Sequence, residues 1–154
     1  MEDQLQEITD SEKQYVYARL KKQLKIAMEH RFFLEAVMIE YSIVEDRMRA
    51  ILDLLEIKHI TKQGRDDGLS KKISNVEKEI DSQAGLAKKL DRSLLDDIRK
   101  WVEIRDRLVH RSCIISYHSE EIEQCAADGE KLLKQIDNAS GRVATYVKNL
   151  KQKS

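Results

Sequence analysis

The sequence predicts an all-α fold: an antiparallel, up-down four-helix bundle with a helical connector. Three observations lead there. The 154 residues include no proline and only five glycines, so little interrupts a helix or supplies the turns of a sheet. Charged residues make up 36% and aromatics 5%, the balance expected of long helices with solvated outer faces. Four segments also carry apolar residues at spacings of three and four, the period of a helix with one buried face. A chain of this length fits one domain, 1–154, with a real hydrophobic core.

The first helix opens at TDSE. Thr9 or Asp10 can cap it, and Glu12 stands three residues after Thr9, as in a capping box. Tyr17, Leu20, Leu24 and Ala27 then mark one face. The apolar phase shifts at 29–33, which places a break there although neither glycine nor proline marks it.

The second helix, 33–57, is the most apolar. Val37, Tyr41, Val44, Met48, Ile51 and Leu55 form one stripe, widened by Leu34, Met38 and Leu52. A stripe this broad implies contacts on more than one side, so the segment is the central helix or part of a subunit interface. Residues 58–70 read as a loop, and 58–92 as a connector whose SKKISNVEKEID is at most a short, weakly amphipathic helix.

The third strong helix runs over 93–110. The fourth opens at Ser119, with Glu120 and Glu121 at the positive end of its dipole. Its inward seam is Ile122, Cys125, Ala126, Gly129, Leu132, Leu133, Ile136, Val143, Val147 and Leu150. Gly129 on that seam would let a neighbouring helix come close, at some cost in helix propensity.

Several function classes are disfavoured. With 28 basic and 28 acidic residues the formal net charge is zero, so any polyanion site must be local. Cys113 and Cys125 form no CxxC, which argues for a reducing compartment and against a disulfide scaffold. The acidic start MEDQLQEITDSE is unlike a signal peptide, and no apolar run approaches the ~20 residues of a membrane span. A cytoplasmic protein that does not meet a membrane is expected.

No cofactor or metal is expected either. Glu56 and His59 give one Glu-x-x-His where a di-iron bundle needs two, and the cysteines lack zinc spacing. Gly64 and Gly68 flank no phosphate-binding GK[ST]. Tyr15 and Tyr17 read as core or surface contacts rather than platforms for bases.

The residue that breaks the pattern is Arg105. Aligned by sevens, Leu94, Trp101 and Leu108 form one line and Leu95, Val102 and Val109 the next. Ile98 lies between them, and seven residues later stands Arg105. A permanent cation on a core stripe needs a carboxylate, an anionic ligand or a path to water. Glu40 and Glu45, which flank the apolar face of the second helix, are the carboxylates within its reach. Such a pairing would make Arg105 purely structural.

His110 follows five residues later, about 140° round an ideal helix. The two side chains therefore meet at one spot only if the helix unwinds or a second copy supplies the partner. Asp106, four residues before His110, is placed to orient the imidazole. Arginine and histidine together suit phosphodiester chemistry on RNA. The cation neutralises charge on the phosphorane-like transition state, and an imidazole moves a proton.

RDRLVH, Arg105 to His110, resembles the R-x4-6-H motif of the HEPN superfamily, with a polar residue after the arginine and a place near the end of a late helix. FFLEAVMIEYSIVEDRMRAIL resembles the apolar second helix of such domains. The resemblance implies a HEPN-like bundle and a metal-independent endoribonuclease, with Arg105, His110 and Asp106 as the catalytic set. It implies a homodimer whose two motifs form one cleft and leave a 2′,3′-cyclic phosphate. It also implies a role as toxin in toxin–antitoxin or abortive-infection (phage defence) systems, with an antitoxin protein as possible partner.

Where toxins paired with nucleotidyltransferase antitoxins often have a tyrosine two after the histidine, Ser112 stands. Arg107, Arg111, Tyr117 and His118 are candidates for contacts to the RNA, and Arg111 with His118 also fits the spacing. In an up-down bundle Glu29, His30, Arg31, Glu35 and the loop holding Tyr117 and His118 share the end of the molecule with His110. The alternative is a catalytically inactive helical module that binds RNA or a protein partner through the wide second helix and the long last one. A metal-binding bundle is the third reading.

Overall fold

The computed structural model describes residues 9–61, 63–111 and 119–154. They form six helices: α1 (Asp10–Glu29), α2 (Phe33–Leu54), α3 (Leu69–Ser82), α4 (Ala84–Ala87), α5 (Arg92–His110) and α6 (Ser119–Gln152). The fold is all-α. Among the described residues the sole β feature is an isolated antiparallel bridge between Ile60 and Asp66. No helix of these residues is long and apolar enough to cross a membrane.

The start of α1 follows from its sequence. Thr9 is the cap: its hydroxyl accepts from the Glu12 amide at 3.3 Å, and Glu12 accepts from the Thr9 amide at 2.7 Å. The break at 29–33 also stands, and its mechanism explains why no glycine marks it. Arg31 takes the left-handed conformation at φ 61°, and the Phe32 amide reaches back to the Ala27 carbonyl at 2.8 Å. The end of α2 repeats this with Glu56 at φ 58° and the Ile57 amide on the Leu52 carbonyl at 2.9 Å. Both are the closures a helix usually makes with glycine.

The centre of the fold is α2 packed along α6, with α1 laid on α2 and α5 on α6. Their meeting faces bury Val37, Ile43, Val44, Met48, Ile51 and Leu52 from α2, with Leu133, Ile136 and Val143 from α6. The buried face of α2 is rotated from the expected one: Ala36, Glu40 and Ile43 lie inside, while Met38 is 44% exposed. The seam of α6 holds as far as Val143 and then loosens, with Val147 partly buried and Leu150 exposed.

The segment 58–92 is not a mere connector. Leu69, Ile73, Val76 and Ile80 form a clean buried stripe on α3, and Leu86 and Leu90 are buried beyond it. α3 packs on both α2 and α5, which touch each other little directly. It therefore fills the space between them.

Candidate active site around Arg105

α5 is capped by the Asp91 carboxylate, which accepts from the Ser93 amide at 2.9 Å. Burial of Leu94, Leu95, Ile98 and Trp101 then sets its rotation. The Trp101 indole N–H donates to the Cys125 carbonyl at 2.8 Å and ties α5 to α6. One turn later, Arg105 points off the same face toward α2.

Its side chain is only 14% exposed. The guanidinium lies over the Tyr41 ring, 4.2 Å from the centroid, a favourable cation–π arrangement. Nη1 donates to Asp106 Oδ1 at 2.6 Å and Nη2 to Met38 Sδ at 3.0 Å, while buried Nε has no hydrogen-bond partner. Burial raises the Tyr41 hydroxyl pKa first, with help from Glu45 and Asp106 and against the pull of Arg105.

Neither of the glutamates within expected reach takes this cation. Glu45 accepts from Lys72 at 3.4 Å. Glu40 is fully buried with both carboxyl oxygens unpartnered. Burial first, then Glu130 and Asp128, push its pKa up to about 9, so the group is neutral at pH 7. The space for it comes from Gly129, where a Cβ would collide with the Glu40 carboxyl and press on Trp101 Cζ2 at 3.0 Å. The close approach expected at Gly129 is thus made by a side chain. Cys125 beside this centre has its thiol pushed up to about 12 by burial, then by Glu40 and Asp128, which leaves it unreactive.

His110 closes α5 and is exposed, as are Arg107 and Arg111. Asp106 lies four residues before His110, but its carboxylate serves Arg105; among the described residues no hydrogen bond joins Asp106 to the imidazole. Arg107 stands 3.9 Å from Glu121 and Arg31 3.2 Å from Glu123, so the end of α5 and the α1–α2 turn both meet the first turns of α6. Ser112, Tyr117 and His118 lie outside the described residues.

Two groupings were not apparent from the sequence. Arg47 repeats the Arg105 arrangement, bound to Asp46 at 2.6 Å, stacked 4.2 Å over the Tyr17 ring and with Nε unpartnered. The loop before α3 carries an ionic cluster: fully buried Lys72 donates to Asp66 at 2.5 Å, Arg49 to the same carboxylate at 2.7 Å, and His59 lies between Asp53 at 2.7 Å and Asp66 at 3.0 Å. His59 therefore has carboxylate neighbours on both sides, and Glu56 faces Lys151 at 3.6 Å. Among the described residues no three His, Cys, Asp or Glu side chains are grouped to hold a metal ion.

Chemically, the Arg105 site offers a stacked, partly exposed cation and, on the same helix end, an accessible imidazole. No protein-family model, curated protein or solved structure matches this chain.

Proposed function

We propose that the chain is a metal-independent endoribonuclease of the HEPN type, folded as a HEPN-like four-helix bundle with α3 as an added core helix. The observation that carries this reading is the unused carboxyl. A purely structural arginine would take the one buried glutamate among the described residues, yet Glu40 stays neutral and unpartnered while the Arg105 guanidinium, 14% exposed, has only Asp106 and Met38 as acceptors. An RNA phosphate at the exposed edge of the guanidinium gives it a second anionic partner.

In the reaction the 2′-oxygen attacks phosphorus, the bond to the 5′-oxygen breaks, and a 2′,3′-cyclic phosphate and a 5′-hydroxyl result. His110 takes the 2′-hydroxyl proton or supplies the proton to the leaving oxygen, and Arg105 neutralises charge on the phosphorane. Because these two side chains diverge by about 140°, a working cleft takes Arg105 from one copy and His110 from a second. A toxin role with an antitoxin partner is consistent with such an activity.

The test is cleavage of a defined RNA by wild type, Arg105→Ala and His110→Ala, with and without chelator and with helicity checked. Loss in both variants, indifference to chelator and a cyclic-phosphate product support the reading. Cleavage that survives either substitution refutes it.

One observation favours the inactive RNA-binding or protein-binding alternative: Asp106 holds Arg105 rather than His110, beside the exposed apolar side chains of Met38 and Ile104. Binding without cleavage by the wild type would select it.

A further inference from the structure

We infer that the outward ridge of α1 is a docking surface for single-stranded RNA. Between Glu12 and Glu29 the helix carries Lys13, Arg19, Lys21, Lys22 and Lys25 and no carboxylate, in a chain whose net charge is zero. This is a local polycationic stretch in an otherwise balanced protein.

Its side chains sort by direction. Leu24 and Ala27 are buried against the body, Tyr17 donates to Asp137 at 2.6 Å, and Lys21 pairs with the same carboxylate at 2.6 Å. On the opposite side Tyr15, Arg19, Lys22 and Ile26 fall at i, i+4, i+7 and i+11, within about 60° of one another. Tyr15 is 70% exposed and Ile26 44%, and Arg19 and Lys22 are exposed with no ion-pair partner among the described residues. Lys25, at the ridge's edge, is only 3.9 Å from Glu29 in an exposed, weak pair.

The order along this line selects the occupant. An anionic membrane surface suits a continuous apolar stripe flanked by cations. Here an aromatic, two cations and an aliphatic residue share a single line spanning roughly 16 Å of helix axis. A nucleic acid strand alternates phosphates with bases in the same way: Arg19 and Lys22 meet phosphates, and the free face of Tyr15 stacks a base. Tyr15 is thus a platform, unlike Tyr17, which is committed to Asp137. The inference concerns binding alone and stands whether or not Arg105 and His110 cut.

The experiment is fluorescence anisotropy of the full chain with a 2′-O-methyl oligonucleotide, which lacks the attacking hydroxyl and so separates binding from cleavage. Arg19→Glu/Lys22→Glu should weaken binding at least tenfold and make the log–log salt slope shallower by about 1.4, the single-strand value for two phosphates. Tyr15→Ala should weaken binding about fivefold with the slope unchanged. Both positions are exposed, and thermal melts check that folding persists. Equal affinity of wild type and the double charge reversal overturns the inference. So does binding to vesicles of phosphatidylcholine with phosphatidylserine that the double variant abolishes while oligonucleotide binding is untouched. An Arg105→Ala protein that binds normally but no longer cuts would leave the ridge intact as a separate surface.

Discussion

Glu40 and Gly129 meet across the α2–α6 interface, and the carboxyl fills the space that any Cβ at position 129 would need. Two locally unfavourable choices, an unpartnered buried acid and a mid-helix glycine, therefore depend on one another. Gly129→Ala is expected to destabilise the protein by about 2 kcal/mol, although alanine is favoured over glycine in a helix by about 1 kcal/mol. In a Glu40→Ala background the same change should cost far less, because the colliding carboxyl is gone. A double-mutant cycle in urea reads the coupling, and additive effects would contradict the contact.

Glu40 also sets a pH dependence with a definite sign. Its folded pKa, about 9, lies above its ordinary 4.5. The folded state therefore holds the proton more tightly than the unfolded one. The contribution to stability is full below about pH 4.5 and is lost as pH rises toward about 9, at up to about 1.4 kcal/mol per unit. Glu40→Gln, uncharged at every pH, should remove this slope and exceed wild type by up to roughly 5 kcal/mol at pH 8. Denaturant unfolding from pH 5 to 9 gives the comparison. Parallel profiles would mean that Glu40 is ionised and solvated.

A left-handed Glu56 predicts a stabilising substitution. A residue with a Cβ costs about 1 kcal/mol at φ 58° relative to glycine. Its pair with Lys151, at 3.6 Å between two exposed side chains, adds little. Glu56→Gly should raise stability by about 0.5–1 kcal/mol, seen as a higher Tm; a lower Tm would mean the turn is held by something else.

Helix ends also show what the sequence could and could not reveal. Where ends follow periodicity and polar caps, as at Thr9 and across 93–110, they were legible. Where Arg31 and Glu56 do a glycine's work composition is silent, and the break at 29–33 was legible only as a shift in apolar phase. α3 escaped because its stripe is only Leu69, Ile73, Val76 and Ile80 among charged neighbours, and burial of those four was decided by the gap between α2 and α5. The inward phase of Arg105 was legible from heptad alignment. Its partners were not, since Tyr41 and Met38 are chosen by the rotation of α2, which also brought the polar Glu40 inside.

The ionic cluster before α3 gives an acid-side prediction. Burial works against ionised Asp66, yet hydrogen bonds from Lys72, Arg49 and His59 hold its carboxyl well below the usual range. A depressed folded pKa contributes stability above about pH 4 that disappears as pH falls further. Lys72→Met should cost about 1 kcal/mol at pH 7, since Asp66 is partly exposed and keeps Arg49 and His59, and should flatten the loss of stability between pH 5 and 3. An unchanged acid profile would show that Arg49 and His59 alone hold Asp66.

Asp106 separates two accounts of the Arg105 motif. As placed, it neutralises the guanidinium through the 2.6 Å bond to Nη1 and leaves the imidazole alone. Asp106→Asn should therefore make Arg105 more available to an anion, raising affinity for an uncleavable oligonucleotide about threefold and steepening its salt dependence by under one unit. If Asp106 instead orients His110 in a working cleft, the asparagine variant should bind as wild type and lose turnover. Because the substitution keeps shape and removes only charge, folding does not confound the comparison. Tighter binding with cleavage retained assigns Asp106 as a brake on Arg105. Unchanged binding with lost cleavage assigns it to His110 and requires the α5 end to rearrange when RNA arrives.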